Sequence, residues 1–202
     1  RTMPETTSAV SPRGPIIISR HGRPALNRDL GPKLVWTEYV DWWASYEAGP
    51  LADGQAAPQA LMSLVKNADV VFASSRLRAQ QTAAIALPQK AADHDPVFNE
   101  AALPPPKLKR FKALPKTWNV LARTAWLSGH HLGDESSKEA RIRARIAALR
   151  LHGAAAQGKV YLAGHGWFNR MLRPELRRLG WVCVEDGGDR YWSCRAYEYR
   201  GG

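Results

Sequence analysis

Residues 15–24 read Pro15-Ile16-Ile17-Ile18-Ser19-Arg20-His21-Gly22-Arg23-Pro24. Three consecutive β-branched residues form a short apolar run without helical period, the pattern of a strand buried on both faces. The run gives way at once to Arg20, His21 and a glycine, so the strand delivers a cation and an imidazole at its C-terminal end. In open α/β sheets that end is where ligands bind. Two further stretches repeat the arrangement. Asp69-Val70-Val71-Phe72-Ala73-Ser74 leads to Arg78, and Lys159-Val160-Tyr161-Leu162-Ala163-Gly164 leads to His165-Gly166.

Helical patterns separate these strands. Over 34–48, Val35, Trp36, Tyr39, Trp42, Trp43 and Tyr46 share one side of a helix that Gly49-Pro50 stops. Residues 56–67 read as helix, as do 76–87, with Ser74 or Ser75 as N-cap and Pro88 closing the turn. Ser136 or Ser137 caps a helix over 138–151, and the recurrence of Ile142, Ile146 and Leu149 marks its expected buried face. A helix begins over 167–172, and Pro174 fits the first turn of a new one that Gly180 stops. Pro96-Val97-Phe98 is expected as an edge strand, and 181–184 with 191–194 as a hairpin around Asp186-Gly187-Gly188-Asp189. The order predicts an α/β fold: a three-layer, mostly parallel open sheet covered by helices on both faces, with antiparallel edge strands near the C-terminus. Residues 1–15, with Pro4, Pro12 and Pro15, are expected as a loose tail, and 16–202 as one domain.

Length and composition agree. The chain has 202 residues, 45% of them apolar and 23% charged, which is globular composition and excludes a wholly disordered chain. A domain near this size buries about 70% of its extended-chain surface, so neither a metal nor a disulfide staple is required. No apolar run is long enough to cross a membrane, and no signal-peptide core is visible. Cys183 and Cys194 are too few for a disulfide framework. Free thiols in a cytoplasmic, reducing compartment are expected, a cross-strand disulfide being the alternative. The net charge of +11 is uneven: residues 101–202 hold 19 basic and 8 acidic side chains, and residues 1–100 balance to zero. Such a field favours anionic partners.

If the three strands are neighbours, His21, His165, Arg20 and Arg78 converge. Two imidazoles alone could suggest a metal, but guanidinium groups beside them oppose a divalent cation and favour a tetrahedral anion. A neutral imidazole is also a competent nucleophile on phosphorus, and nearby arginines help keep it neutral. Departure of an alcohol needs a proton donor, for which Glu100, after a short apolar stretch, is the best-placed carboxylate.

These residues carry a resemblance. Arg20-His21-Gly22 resembles the opening motif of the histidine phosphatase superfamily, which includes the cofactor-dependent phosphoglycerate mutases. Ser74-Ser75-Arg76-Leu77-Arg78-Ala79-Gln80-Gln81-Thr82-Ala83 resembles its second motif, in the form found in small phosphohistidine phosphatases. Gly164-His165-Gly166 resembles the last motif. The resemblance implies a metal-independent phosphomonoester hydrolase with no cofactor. In it His21 would become phosphorylated, Arg20, Arg78 and His165 would hold the phosphoryl group, and Glu100 would protonate the leaving group. The sequence departs from the family where Arg23-Pro24 follows the opening glycine and where Ser75 replaces the usual proline. Arg23 is a possible extra phosphate contact, and Arg76 a rival to Arg78. The stretch after Glu100 does not resemble a mutase. An inactive phosphate-binding or interaction module, a phosphohistidine protein phosphatase and a phosphomutase are the alternatives.

The expected partner is a small phosphorylated substrate, handled by a monomer or homodimer. Trp42, Trp43 and Lys109 are candidates for its pocket, the preferred ester pairing phosphate with a second acidic or ring-bearing part. The basic run from Lys107 to Lys116 carries no recognition motif, so nucleic acid and membrane are not expected partners.

Overall fold

The computed structural model describes residues 12–201. The chain forms β1 (Ile16–Arg20), α1 (Trp36–Ala48), α2 (Gln59–Val65), β2 (Val70–Ala73), α3 (Leu77–Ala86) and β3 (Asp93–His94). It continues through α4 (Pro115–Leu127), α5 (Ser137–Ala154), β4 (Val160–Gly164), α6 (Gly166–Arg178), β5 (Trp181–Asp186) and β6 (Cys194–Tyr199). Among the described residues the strands form one sheet in the order β3-β2-β4-β1-β6-β5. β3, β2, β4 and β1 run parallel, and β6 and β5 extend the sheet antiparallel. This is the expected mostly parallel sheet with a late antiparallel edge.

Alternation along β1 explains the three layers. Ile16 and Ile18 face a cluster that includes Ala144, Leu151, Phe168 and Leu172 from α5 and α6. Ile17 faces the other way, with Leu61, Val65, Ala79 and Ala83 from α2 and α3. Burial on both faces is why the strand reads as an unbroken apolar run. A third cluster lies off the sheet, where Tyr39 of α1 packs with Trp118 and Ala122 of α4.

Four expectations are corrected. Along α5 the side chains of Ile142 and Ile146 are 62% and 54% exposed, and Leu149 is also exposed. The face turned inward is Ala140, Ala144, Ala147, Ala148 and Leu151. Both stripes have helical period, and the small one lets α5 lie close to α6 and the sheet. Pro174 lies inside a continuous α6, because Phe168, Leu172 and Leu176 form one fully buried row that outweighs the lost backbone bond. Pro96–Phe98 is a 3-10 turn whose first donor, Val97 N–H, is taken by the Asp95 carboxylate, and the strand beside β2 is Asp93–His94. The hairpin's return strand begins at Cys194, since Trp192 has φ +66°, outside the extended region.

The register places Cys183 opposite Tyr197, and Cys194 opposite Ser19, so the sulfurs do not form a cross-strand pair and both thiols are free. Of the expected tail, residues 1–11 lie outside the described residues. Arg13 donates to the carbonyl of His152, and Gly14 N–H to that of Ala155. No helix among the described residues is long and apolar enough to cross a membrane.

Candidate active site

The parallel register of β1 and β4 pairs Arg20 with Gly164. The next residue on each strand is a histidine, and the rings of His21 and His165 stand 5.2 Å apart, edge on. Both are buried, and Arg78, from the first turn of α3, lies between them. The convergence expected from three separate strand ends is present.

Hydrogen-bond partners assign the tautomers. His21 Nδ1 is 2.7 Å from the Gly22 carbonyl oxygen, which can only accept, so Nδ1 carries the proton. Arg78 Nε–H donates to His21 Nε2 at 3.3 Å, which leaves Nε2 the lone pair. For His165, Arg78 Nη2 donates to Nδ1 at 3.2 Å. His165 Nε2 then donates to Ser74 Oγ at 2.6 Å. Burial pushes both imidazoles well below the ordinary histidine range, and the Arg78 charge pushes further the same way. Both rings are therefore neutral near pH 7.

Every donor of Arg78 is engaged. Besides the two imidazole nitrogens, Nη1 donates to the carbonyls of Tyr46 and Glu47 at 3.2 and 3.1 Å, and Nη2 to Glu47 Oε1 at 2.6 Å. The Nε–Nη2 edge, the one that pairs bidentately with oxyanions, is thus turned toward the two rings. Arg76, the rival in sequence, is half-exposed and pairs with the other Glu47 oxygen at 3.1 Å.

Arg20 donates from Nη1 to the Asp189 carbonyl at 2.7 Å and lies over the Tyr191 ring at 4.2 Å. Asp189 is anchored in turn by Arg170 and Arg195. Chiefly through the hydrogen bond from Arg170, its carboxyl is held down to about 2. The Glu100 carboxylate accepts N–H bonds from Ala101 at 3.0 Å, Trp167 at 3.0 Å and Phe168 at 2.8 Å. The last two belong to the opening turn of α6, whose unpaired donors and dipole suit an anion. One of the four lone-pair positions of the carboxylate, on Oε2, is left uncommitted.

These groups open onto a cavity of about 870 Å³ whose wall includes Arg20, His21, Arg78, Glu100 and Trp43. Trp42 is not on this wall: it stacks between Tyr39 and Tyr46. Lys109 and Arg23 are exposed and do not line it. Arg23 instead exchanges backbone hydrogen bonds with the Gln55 side chain at 2.8 and 2.7 Å. Sequence reasoning missed Glu47, Tyr191 and Asp189. Glu47 did leave a signal, because a carboxylate in the last turn of a helix opposes the helix dipole unless a cation holds it. Among the described residues no group of three or more His, Cys, Asp or Glu side chains stands together as a metal site.

Comparison with known proteins adds three kinds of result. The model of the histidine phosphatase superfamily (branch 1) matches residues 51–182. No curated protein matches. Among solved structures, a protein from Thermus thermophilus, TTHB049, is similar at 26% identity and TM-score 0.55, over 90% of this chain and 92% of that one. A mycobacterial glucosyl-3-phosphoglycerate phosphatase is similar at 18% identity and TM-score 0.54, over 83% of this chain and 80% of the other. A phosphoserine phosphatase variant from Entamoeba histolytica, in complex with phosphoserine, is similar at 14% identity and TM-score 0.52, over 82% and 80%. The last two likenesses are of fold.

Proposed function

The chain belongs to the histidine phosphatase superfamily and is a phosphomonoester hydrolase of that kind, and from that premise we propose that it works through a phosphohistidine on His21. The observation that carries the proposal is the unprotonated Nε2 of His21, turned toward the guanidinium of Arg78. A lone pair beside a fixed positive fork is what nucleophilic attack on a phosphoryl group requires.

In the first step a phosphate ester enters and its oxygens take over the Nε–H and Nη2–H of Arg78 from the two imidazoles. Arg20 binds the same oxygens. The Nε2 lone pair of His21 forms the N–P bond, the ester P–O bond breaks, and the leaving oxygen takes the proton that the monoanionic ester has passed to the free Oε2 position of the Glu100 carboxylate. In the second step the Glu100 carboxylate takes a proton from water, whose oxygen attacks phosphorus as the N–P bond breaks. The products are the alcohol and inorganic phosphate. His165 donates to a phosphoryl oxygen from Nδ1 in its other tautomer: as the ester binds, Nδ1 takes a proton from solvent, Nε2 gives one up to solvent, and the Ser74 hydroxyl turns to donate to Nε2. The 2.6 Å contact between Ser74 and His165 supports that exchange, since a hydroxyl serves either way.

No metal takes part in this scheme. Support comes from the charge between the histidines: a guanidinium occupies the position where a divalent cation would need oxygen or nitrogen ligands. The proposal treats 16–202 as one catalytic domain, monomeric or homodimeric. It places the enzyme in the cytoplasm, where the free thiols of Cys183 and Cys194 stay reduced, acting on a small phosphorylated substrate.

The test is pulse labelling with p-nitrophenyl [32P]phosphate followed by an alkaline quench. Acid-labile label on the protein, absent from His21→Ala, is the expected outcome. Label that persists in His21→Ala removes the assignment.

A further inference from the structure

The cavity in front of His21 is much larger than a phosphoryl group. Its volume of about 870 Å³ lies in the range of sites that enclose a drug-sized ligand. A second cavity of about 870 Å³ adjoins it, sharing Trp43, Glu100 and Leu103. What the leaving alcohol looks like is therefore set by these walls.

Helix α4 supplies the informative wall. One face of it, Trp118, Ala122 and Trp126, is buried in the protein. Another, with Val120, Leu121, Thr124 and Leu127, lines the cavity. On that second face Val120 is 65% exposed and Leu127 48%. A helix face turned to water ordinarily carries charged or polar side chains, whereas here two apolar residues two turns apart face an open cavity. Leu103, Trp43 and Trp167 add apolar surface to the same enclosure.

The cations of the cavity do not favour a second anionic group as strongly. Lys116 pairs with Asp29, and Arg170 with Asp189. Arg123 donates to the carbonyls of Ala101 and Ala102 and stacks on the rings of Trp126 and Trp167. Arg28 alone among these four lacks such a commitment among the described residues; it stands 5.9 Å from the Tyr191 ring. The wall is mostly apolar surface, and three of these four cations are held by groups of the protein itself.

Resting on the phosphatase reading above, we infer that the substrate is a phosphomonoester whose alcohol carries a bulky apolar body, of ring size or larger, that lies along Val120 and Leu127 of α4. Burying that body against the helix gives binding energy that a small polar alcohol cannot supply.

The experiment compares ethyl phosphate with 2-(1-naphthyl)ethyl phosphate. Both release a primary alcohol, so their ratio of kcat/KM reports the body of the substrate and not the leaving-group chemistry. A ratio of about tenfold or more in favour of the naphthyl ester is expected, falling toward unity in Val120→Asn and Leu127→Gln. Both sites are exposed, so neither change threatens the fold. A ratio near one in the parent protein, or an unchanged high ratio in both variants, overturns the inference and leaves the phosphatase reading standing. Hydrolysis of neither ester, with no phosphoprotein formed from either, takes down both.

Discussion

Glu47 Oε1 and Arg78 Nη2 stand 2.6 Å apart, with 11% and 1% of the two side chains exposed. This pair, together with the carbonyls of Tyr46 and Glu47, fixes the guanidinium so that its remaining edge faces His21 and His165. Removing one partner of such a buried pair leaves a charge without compensation. Glu47→Ala should therefore lose about 3–5 kcal/mol of stability in urea unfolding. Glu47→Gln, which keeps an oxygen for Nη2, should lose less. In both variants kcat/KM for a phosphate ester should fall, with more of it recovered in the glutamine variant. A Glu47→Ala protein as stable as the parent would show that the pair does not hold Arg78.

The neutral state of the two buried imidazoles can be read by NMR. Burial and Arg78 push both histidines down, so neither ring should show the ordinary histidine midpoint near 6.5. His21 should show its proton on Nδ1. A His21 titration centred near 6.5 would contradict the site as described.

The same shifts have a sign for stability. The unfolded chain takes up protons on these histidines below about pH 6.5 and the folded chain does not, so acid favours unfolding. Stability should be constant above that pH and fall as the pH drops below it, by at most about 1.4 kcal/mol per unit for each histidine. Urea unfolding at several pH values, repeated with His165→Gln, should show a shallower fall in the variant. Equal slopes would assign the acid sensitivity to other groups.

Asp189 offers a separable test of Arg20. Its carboxylate is held by Arg170 and Arg195, and its carbonyl receives Arg20. Asp189→Ala should loosen that loop and weaken inhibition by inorganic phosphate about fivefold, on the order of 1 kcal/mol. Asp189→Asn should sit between the two. Unchanged inhibition would mean that Arg20 is positioned without the loop.

On α5, Ala148→Leu forces extra volume into a fully buried position and should cost about 1–3 kcal/mol. Ile142→Ser, at an exposed position, should stay within about 0.5 kcal/mol. Thermal or urea unfolding of the two variants decides which face is inside.

That helix also shows where the sequence was readable. Ile16–Ile18, Val70–Phe72 and Val160–Leu162 announced the inner strands because strands buried on both faces concentrate apolar residues over a few positions. Each was followed within six residues by its polar groups, so Arg20, His21, Arg78 and His165 were legible in short strings. On α5 two stripes share the helical period, and hydrophobicity ranks isoleucine above alanine, whereas close packing selected the smaller residue. Pro174 was misplaced for a related reason: a local rule about proline met a buried row of three apolar side chains. Glu47 was hidden because its partner lies 31 residues away. The apolar cavity wall on α4 was hidden because only the fold brings that helix over the same cavity as Arg20 and His21.

The strand order gives the site an uneven clock. His21 and His165 follow the two central strands of the sheet, β1 flanked by β4 and β6, and β4 flanked by β2 and β1. Amide protons there, such as those of Ile17 and Leu162, should exchange only when the whole molecule opens. The cavity wall on α4 packs instead on α1 through the off-sheet cluster, and segments with fewer core contacts open more readily. In the proposed reaction the end that binds phosphate would then keep its shape while the wall proposed to meet the alcohol breathes, so the size of alcohol accepted can vary without disturbing the groups proposed to act on phosphorus.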